Sequence, residues 1–236
     1  MRKILGSLRK ACEDYDMIQD GDRIAVGFSG GKDSVALIYA LNLYKRFSKQ
    51  KFELEVVSVD PGFDNMDFTK ARGFIEGLGL KYTILETQIA KIVFDERKEK
   101  NPCALCAKMR KGAINEWAKK NNINKIAFGH HLDDSIATLL MSMFYEGRVS
   151  TFKPVTYLDR MDITLIRPFI YVLEDSIIDS VKDLDLPVSK SPCPVDKRTK
   201  REYANDLVKK FSSEIPHFRK RMLSALQNKE QLQLWF

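Results

Sequence analysis

Arg23-Ile-Ala-Val-Gly-Phe-Ser-Gly-Gly-Lys-Asp-Ser34 runs from a strand-like apolar segment through a glycine pair into Ser34 to Tyr44, where apolar residues recur at helical period. Strand, tight turn and helix in that order open an α/β unit. The turn between them is where a chain presents several backbone N–H groups to an anion, in the field of a helix N-terminus. Glycines allow close approach to phosphate, and Lys32 adds a cation. The spacing does not fit G-x-x-x-x-G-K-[ST], so this is a phosphate loop of another kind. A plain glycine turn would not need Lys32, Asp33 and two flanking serines together. Ser29, Gly30, Gly31, Lys32, Asp33 and Ser34 are therefore candidate phosphate-binding residues.

Outward from this loop the alternation continues. Strand-like segments at 52–59, 81–85 and 125–128 alternate with helical patterns at 68–78, 104–120 and 134–144. The pattern predicts an α/β fold, a doubly wound and mainly parallel sheet with helices on both faces. After Gly147 it loosens into a polar loop, gives one more apolar strand at 163–166, and ends in helices at 173–184, 198–211 and 215–227. The organisation read here is an N-terminal helix in 1–20, a nucleotide-binding domain in 21–170 and a helical C-terminal extension in 171–236. The chain has 236 residues, 44% of them hydrophobic, enough for a core of its own. No apolar run approaches a membrane span and residues 1–20 show no signal-peptide h-region, so no membrane association is expected and the cytoplasm is the expected location. Lysine and arginine exceed aspartate and glutamate by 39 to 32, a formal charge of +7 that suits a polyanionic partner without requiring one.

Gly129-His-His-Leu-Asp-Asp134 again follows a strand and opens a helix, so it shares the carboxyl edge of the sheet with the phosphate loop. Asp133 and Asp134 are candidates to hold Mg²⁺ against a pyrophosphate, since hard cations prefer carboxylate oxygens; an aspartate here is equally a helix N-cap. Asp60 ends the strand at 52–59 at the edge where open α/β sheets bind ligands, and is either a nucleotide contact or a turn residue before Pro61-Gly62.

Four cysteines in a chain of this size do not form a disulfide framework of the small secreted kind. Cys12 lies among Ile4, Leu8, Ala11 and Tyr15 on one helix face and reads as core. Cys103-Ala-Leu-Cys106 and Cys193, between Pro192 and Pro194, together offer three thiolates. From spacing alone an iron–sulfur cluster, a zinc site and a CxxC redox pair all stay open. Zinc wants a fourth ligand, a redox pair leaves Cys193 unused, and three cysteines on a cubane leave one iron open to sulfide or substrate.

Ser29 to Ser34 resembles the signature of the PP-loop superfamily, the adenine nucleotide alpha hydrolase-like proteins that split ATP to AMP and pyrophosphate. Gly21-Asp-Arg-Ile24, Ser29 to Ser34, Cys103 to Gly112, Gly129 to Asp134, Phe144-Tyr145 and Ile166-Arg-Pro168 resemble, in matching order and over nearly the whole chain, the tRNA-cytidine 2-sulfurtransferase family. That resemblance implies ATP- and Mg²⁺-dependent thiolation of a tRNA cytidine, a [4Fe–4S] cluster on Cys103, Cys106 and Cys193, and a homodimer. It makes Arg110, Gly129 and Asp134 nucleotide contacts beside the loop; Lys32, Asp33 and Asp134 are the catalytic candidates. A sulfur donor such as a cysteine desulfurase is implied as well. Long members carry a further cysteine at CxxC spacing after the third, where this chain has Cys193-Pro-Val-Asp-Lys-Arg198. Lys197, Arg198, Lys200, Arg201, Arg219, Lys220 and Arg221 are candidate tRNA phosphate contacts or plain solvated faces. Two other readings are a desulfidase, which removes sulfur from a thiolated base without ATP, and a nucleotide-binding redox sensor that uses the tail Leu232, Leu234 and Phe236 as an interface.

Overall fold

Side-chain alternation along the strands decides the layering. The computed structural model describes residues 1–97, 102–189, 192–193, 200–228 and 230. Strands β1 (Arg23–Gly27), β2 (Glu53–Asp60), β3 (Lys81–Glu86), β4 (Lys125–Ala127), β5 (Val155–Leu158) and β6 (Ile163–Ile166) form one sheet in the order β3-β2-β1-β4-β6-β5. All neighbours pair in parallel except β5 with β6. Successive residues point to opposite faces, so Ile24, Val26, Leu54 and Val56 enter one core while Ala25, Val57, Val59 and Ile126 enter the other.

The first face is covered by α1 (Arg2–Asp14), α2 (Lys32–Phe47), α3 (Thr69–Gly77) and α6 (Glu174–Asp183), which contribute Ile4, Leu8, Leu37, Leu41, Ile75 and Ile177. The second is covered by a π-helical turn at Lys91–Glu96 and by α4 (Pro102–Lys120), through Val93, Ile114 and Ala118. Helix α5 (Leu132–Glu146) packs with α7 (Lys200–Glu214) and α8 (Phe218–Gln227) around Ile136, Ala204 and Val208. The chain leaves β1 toward β2 and β3 on one side, and β4 and β6 lie on the other. The gap between β1 and β4 is therefore the topological switch point where open α/β sheets bind ligands. No helix among the described residues is long and apolar enough to cross a membrane.

The expected doubly wound sheet and helical extension are both present. β5 stands where only a polar loop was expected. Lys197, Arg198, Leu232, Leu234 and Phe236 lie outside the described residues.

Candidate active site

The phosphate loop leaves β1 and closes on itself through two hydroxyls. Ser34 Oγ accepts from the Ser29 N–H at 3.3 Å and donates to the Gly31 carbonyl at 2.9 Å; Ser29 Oγ accepts from the Gly31 N–H at 3.4 Å. Gly31 stands at the N-cap of α2, whose first-turn N–H groups have no partner within the helix. Gly30 has φ +86°, a conformation that favours glycine, and its carbonyl accepts from the Ser189 N–H at 2.9 Å. Ser189 is thus docked on the loop itself.

The second motif sits against the first. A Cβ on Gly129 would lie 2.9 Å from the carbonyl carbon and oxygen of Asp33, so glycine is required for the two loops to meet. Asp134 Oδ2 accepts from the His131 N–H at 3.1 Å and lies 3.4 Å from His131 Nε2, which is 3.7 Å from Asp33 Oδ1. Lys32 Nζ reaches both oxygens of Asp33, at 2.9 and 3.1 Å, and Glu174 Oε1 at 3.0 Å. Burial draws the Lys32 pKa down, but the two carboxylates more than reverse it and the ammonium is retained; Glu174 is held below its usual range by Lys32 against the opposite pull of burial. His130 lies among Phe128, Phe152 and Arg167, and burial pushes it down to about 4 despite Asp134.

Asp133 and Arg219 are paired with each other. Asp133 is only 4% exposed, and both its oxygens are engaged away from the phosphate loop: Oδ1 accepts from Arg219 Nε at 2.5 Å and Oδ2 from the Glu174 N–H at 2.9 Å. It is an anchor for the C-terminal helices; the N-cap of α5 is His131, with neither aspartate in that position. Arg219, also bound to Asp175 Oδ2 at 2.8 Å, is the cation of that anchor. Asp60 Oδ1 accepts from the Gly62 N–H at 2.8 Å, the turn role; its neighbours Val59 and Pro61 line the cavity described next. Lys220 and Arg221 are exposed, Lys200 lies 4.4 Å over the ring of Tyr145, and Arg201 donates to Thr138 Oγ1 at 3.1 Å. Glu174 and Ser189 were not legible in advance: a glutamate opening a helix reads as an ordinary first-turn acid, and Ser189 acts through its backbone.

Cys103, Cys106 and Cys193 line one cavity of about 820 Å³ together with Ser29, Gly30, Gly31 and Arg110. Burial raises the Cys106 pKa, the Arg110 guanidinium opposes this, and Cys193 and Cys103 add to it, as thiols gathered in one place do. Cys12 is 5% exposed in the core, its thiol pushed up to about 12, so it takes no part. Among the described residues no three His, Cys, Asp or Glu side chains close on a point as ligands of a single ion do. Three thiols spread around a cavity fit a cluster, whose thiolates go to different irons. Phe63 and Phe94, 5.7 Å apart between ring centres, add apolar faces on which a nucleobase can stack.

Residues 3–208 match the PP-loop domain family. Over 230 residues the sequence is 36% identical to the tRNA-cytidine(32) 2-sulfurtransferase of Pelobacter propionicus, with 96% of this chain and 86% of the relative covered. The chain belongs to the tRNA-cytidine 2-sulfurtransferase family. The corresponding protein of Syntrophotalea carbinolica is 35% identical, with 96% and 89% covered. The U34-tRNA thiolase NcsA from Methanococcus maripaludis, solved with its [4Fe-4S] cluster, superposes with a TM-score of 0.78 at 25% identity, over 95% of this chain and 76% of the other.

Proposed function

We propose that this chain is an ATP-dependent tRNA sulfurtransferase that thiolates C2 of a cytidine. The observation that carries the reading is the single cavity shared by Ser29 to Gly31 and by Cys103, Cys106 and Cys193. A C2 oxygen is a poor leaving group until it is esterified. It attacks the α-phosphorus of ATP, pyrophosphate departs, a sulfur nucleophile adds at C2, and AMP leaves with the oxygen. Sulfur must arrive at the sulfide level, so a persulfide donor such as a cysteine desulfurase also needs two electrons from a thiol.

In this reading Ser29 to Ser34 and the N-terminus of α2 bind the phosphates. Lys32 offsets charge on the departing pyrophosphate. Asp33 and Asp134 orient Lys32 and His131 and are the carboxylates available to Mg²⁺. Arg110 and the backbone around Asp60 and Gly129 contact the nucleotide. Cys103, Cys106 and Cys193 would hold a [4Fe–4S] cluster, which when bound supplies an iron without a protein ligand to keep sulfur beside the base. Lys200, Arg201, Lys220 and Arg221 face the tRNA backbone of a substrate met in the cytoplasm, and the working form is a homodimer.

The test is anaerobic loading with iron and sulfide, then nucleoside analysis of tRNA incubated with and without ATP. Thiolated cytidine is expected only with ATP and only in the cluster-loaded protein. Lys32→Ala and Cys193→Ala should each lower it roughly 100-fold or more. A colourless zinc-loaded protein, or thiolation independent of ATP, would overturn the reading.

A further inference from the structure

We infer that Glu174 is the positioning residue of Lys32: it clamps the ammonium from the C-terminal helices and holds it in place to meet a phosphate of ATP. The inference rests on the ATP chemistry proposed above. Lys32 is the first residue of α2, where the positive end of the helix dipole disfavours a cation. Asp33 alone, its sequence neighbour, leaves a long flexible stem free to swing. Glu174 Oε1, at 3.0 Å, supplies a second acceptor from a different element. An ammonium has three donors. Asp33 contacts the ammonium with both oxygens, at 2.9 and 3.1 Å, and Glu174 with one, so on a side chain 30% exposed an incoming phosphate oxygen takes over the longer Asp33 contact.

The clamp is itself held. The Glu174 N–H donates to Asp133 Oδ2 at 2.9 Å, and Arg219 Nε donates to Asp133 Oδ1 at 2.5 Å. A line of contacts therefore runs from α8 through the start of α5 and α6 to the phosphate loop. Lys209 stands 4.0 Å from Glu174 Oε2. Lys32 and Lys209 balance Asp33 and Glu174, so the clamp adds no net negative charge against a triphosphate. The glutamate side chain is 18% exposed, so solvent screens the pair less than it would on an open surface.

The experiment is a double-mutant cycle on the cluster-loaded full chain, reading ATP-dependent pyrophosphate release with tRNA present. Glu174→Ala should lower kcat about tenfold or more while KM for ATP moves less than about threefold, and Glu174→Gln, which keeps an acceptor, should recover part of the loss. Combined with Lys32→Ala, Glu174→Ala should add nothing, because it acts through that lysine. Additive losses, or a Glu174→Ala enzyme with the parental kcat, would overturn the inference. A second readout needs no turnover: competitive acetylation of Lys32, followed by mass spectrometry, should rise about tenfold in Glu174→Ala as the ammonium is released. If the parental protein forms no pyrophosphate, the ATP reading fails, and the labelling still judges the clamp by whether Lys32 reactivity changes. Should Glu174→Ala not fold, Glu174→Gln carries the same measurements.

Discussion

His130 and His131 are neighbours in sequence and opposites in situation. His131 faces three aspartates, at 3.4 to 3.8 Å, where the two loops meet. His130 is wedged between Phe128 and Phe152 with Arg167 close by, and burial pushes it down to about 4. An imidazole of ordinary pKa near 6.5 in the unfolded chain takes up a proton that the folded chain refuses. Between pH 6.5 and about 4 the unfolded state therefore binds more protons, and stability falls as pH falls through that window. A shift of this size corresponds to about 3 kcal/mol. Thermal unfolding measured from pH 7 to pH 4.5 should show this decline, and His130→Gln should flatten it; an unchanged slope would remove His130 as its source. The string Gly129 to Asp134 was legible as a site because glycine, histidine and aspartate crowded a strand end. Which aspartate does what was not legible, since that depends on Arg219 and Glu174, 86 and 41 residues away.

At the scale of elements, sequence patterning located the parallel strands and most helices because each buries apolar residues at one clear period. β1 and β4 enclose the switch point with β2 beside them, and their buried runs are the strongest such signals. β5 escaped because Val155-Thr-Tyr-Leu158 is a short antiparallel edge strand, half-exposed, with Tyr157 60% open to solvent. The π-helical turn at Lys91–Glu96 has no period of its own to read. Helix α8 was legible as a helix but not in its docking. It has no buried residue, so its attachment leans on Arg219 and on partial contacts such as Phe218 and Met222. Arg219→Ala leaves the buried Asp133 carboxylate without its cation. The expected loss is about 3 kcal/mol, seen as a fall in Tm of roughly 6–10 °C. The salt dependence of tRNA binding should stay that of the parental protein, because this guanidinium is spent inside the fold. A flatter salt slope with unchanged Tm would return Arg219 to the RNA-binding face.

For the whole molecule, the sequence suggested a nucleotide-binding domain at 21–170 flanked by an N-terminal helix and a C-terminal extension. Composition shows no linker at either boundary, and packing explains why. Ile4 and Leu8 of α1, Ile177 of α6 and Leu186 share one core cluster with Val26 of β1 and Leu37 of α2. The Met1 ammonium donates to Ser180 Oγ at 3.0 Å, and Gln227 at the end of α8 donates to the hydroxyls of Tyr171 and Tyr15 at 2.7 and 3.3 Å. The extension also delivers Glu174 to Lys32, Ser189 to Gly30 and Cys193 to the cavity. A site assembled from both parts requires that they fold together. The chain should therefore unfold in one cooperative transition. The fluorescence of Trp117, which packs in the opposite core, followed in a Trp235→Phe background, should give the same midpoint as far-UV circular dichroism, within about 1 °C. A truncated chain of residues 1–170 loses the residues that close the first core and the cover over α5, and should show no cooperative transition. A folded 1–170 fragment, or two separated midpoints in the full chain, would mean that the extension is an independent unit and that the cavity forms by docking.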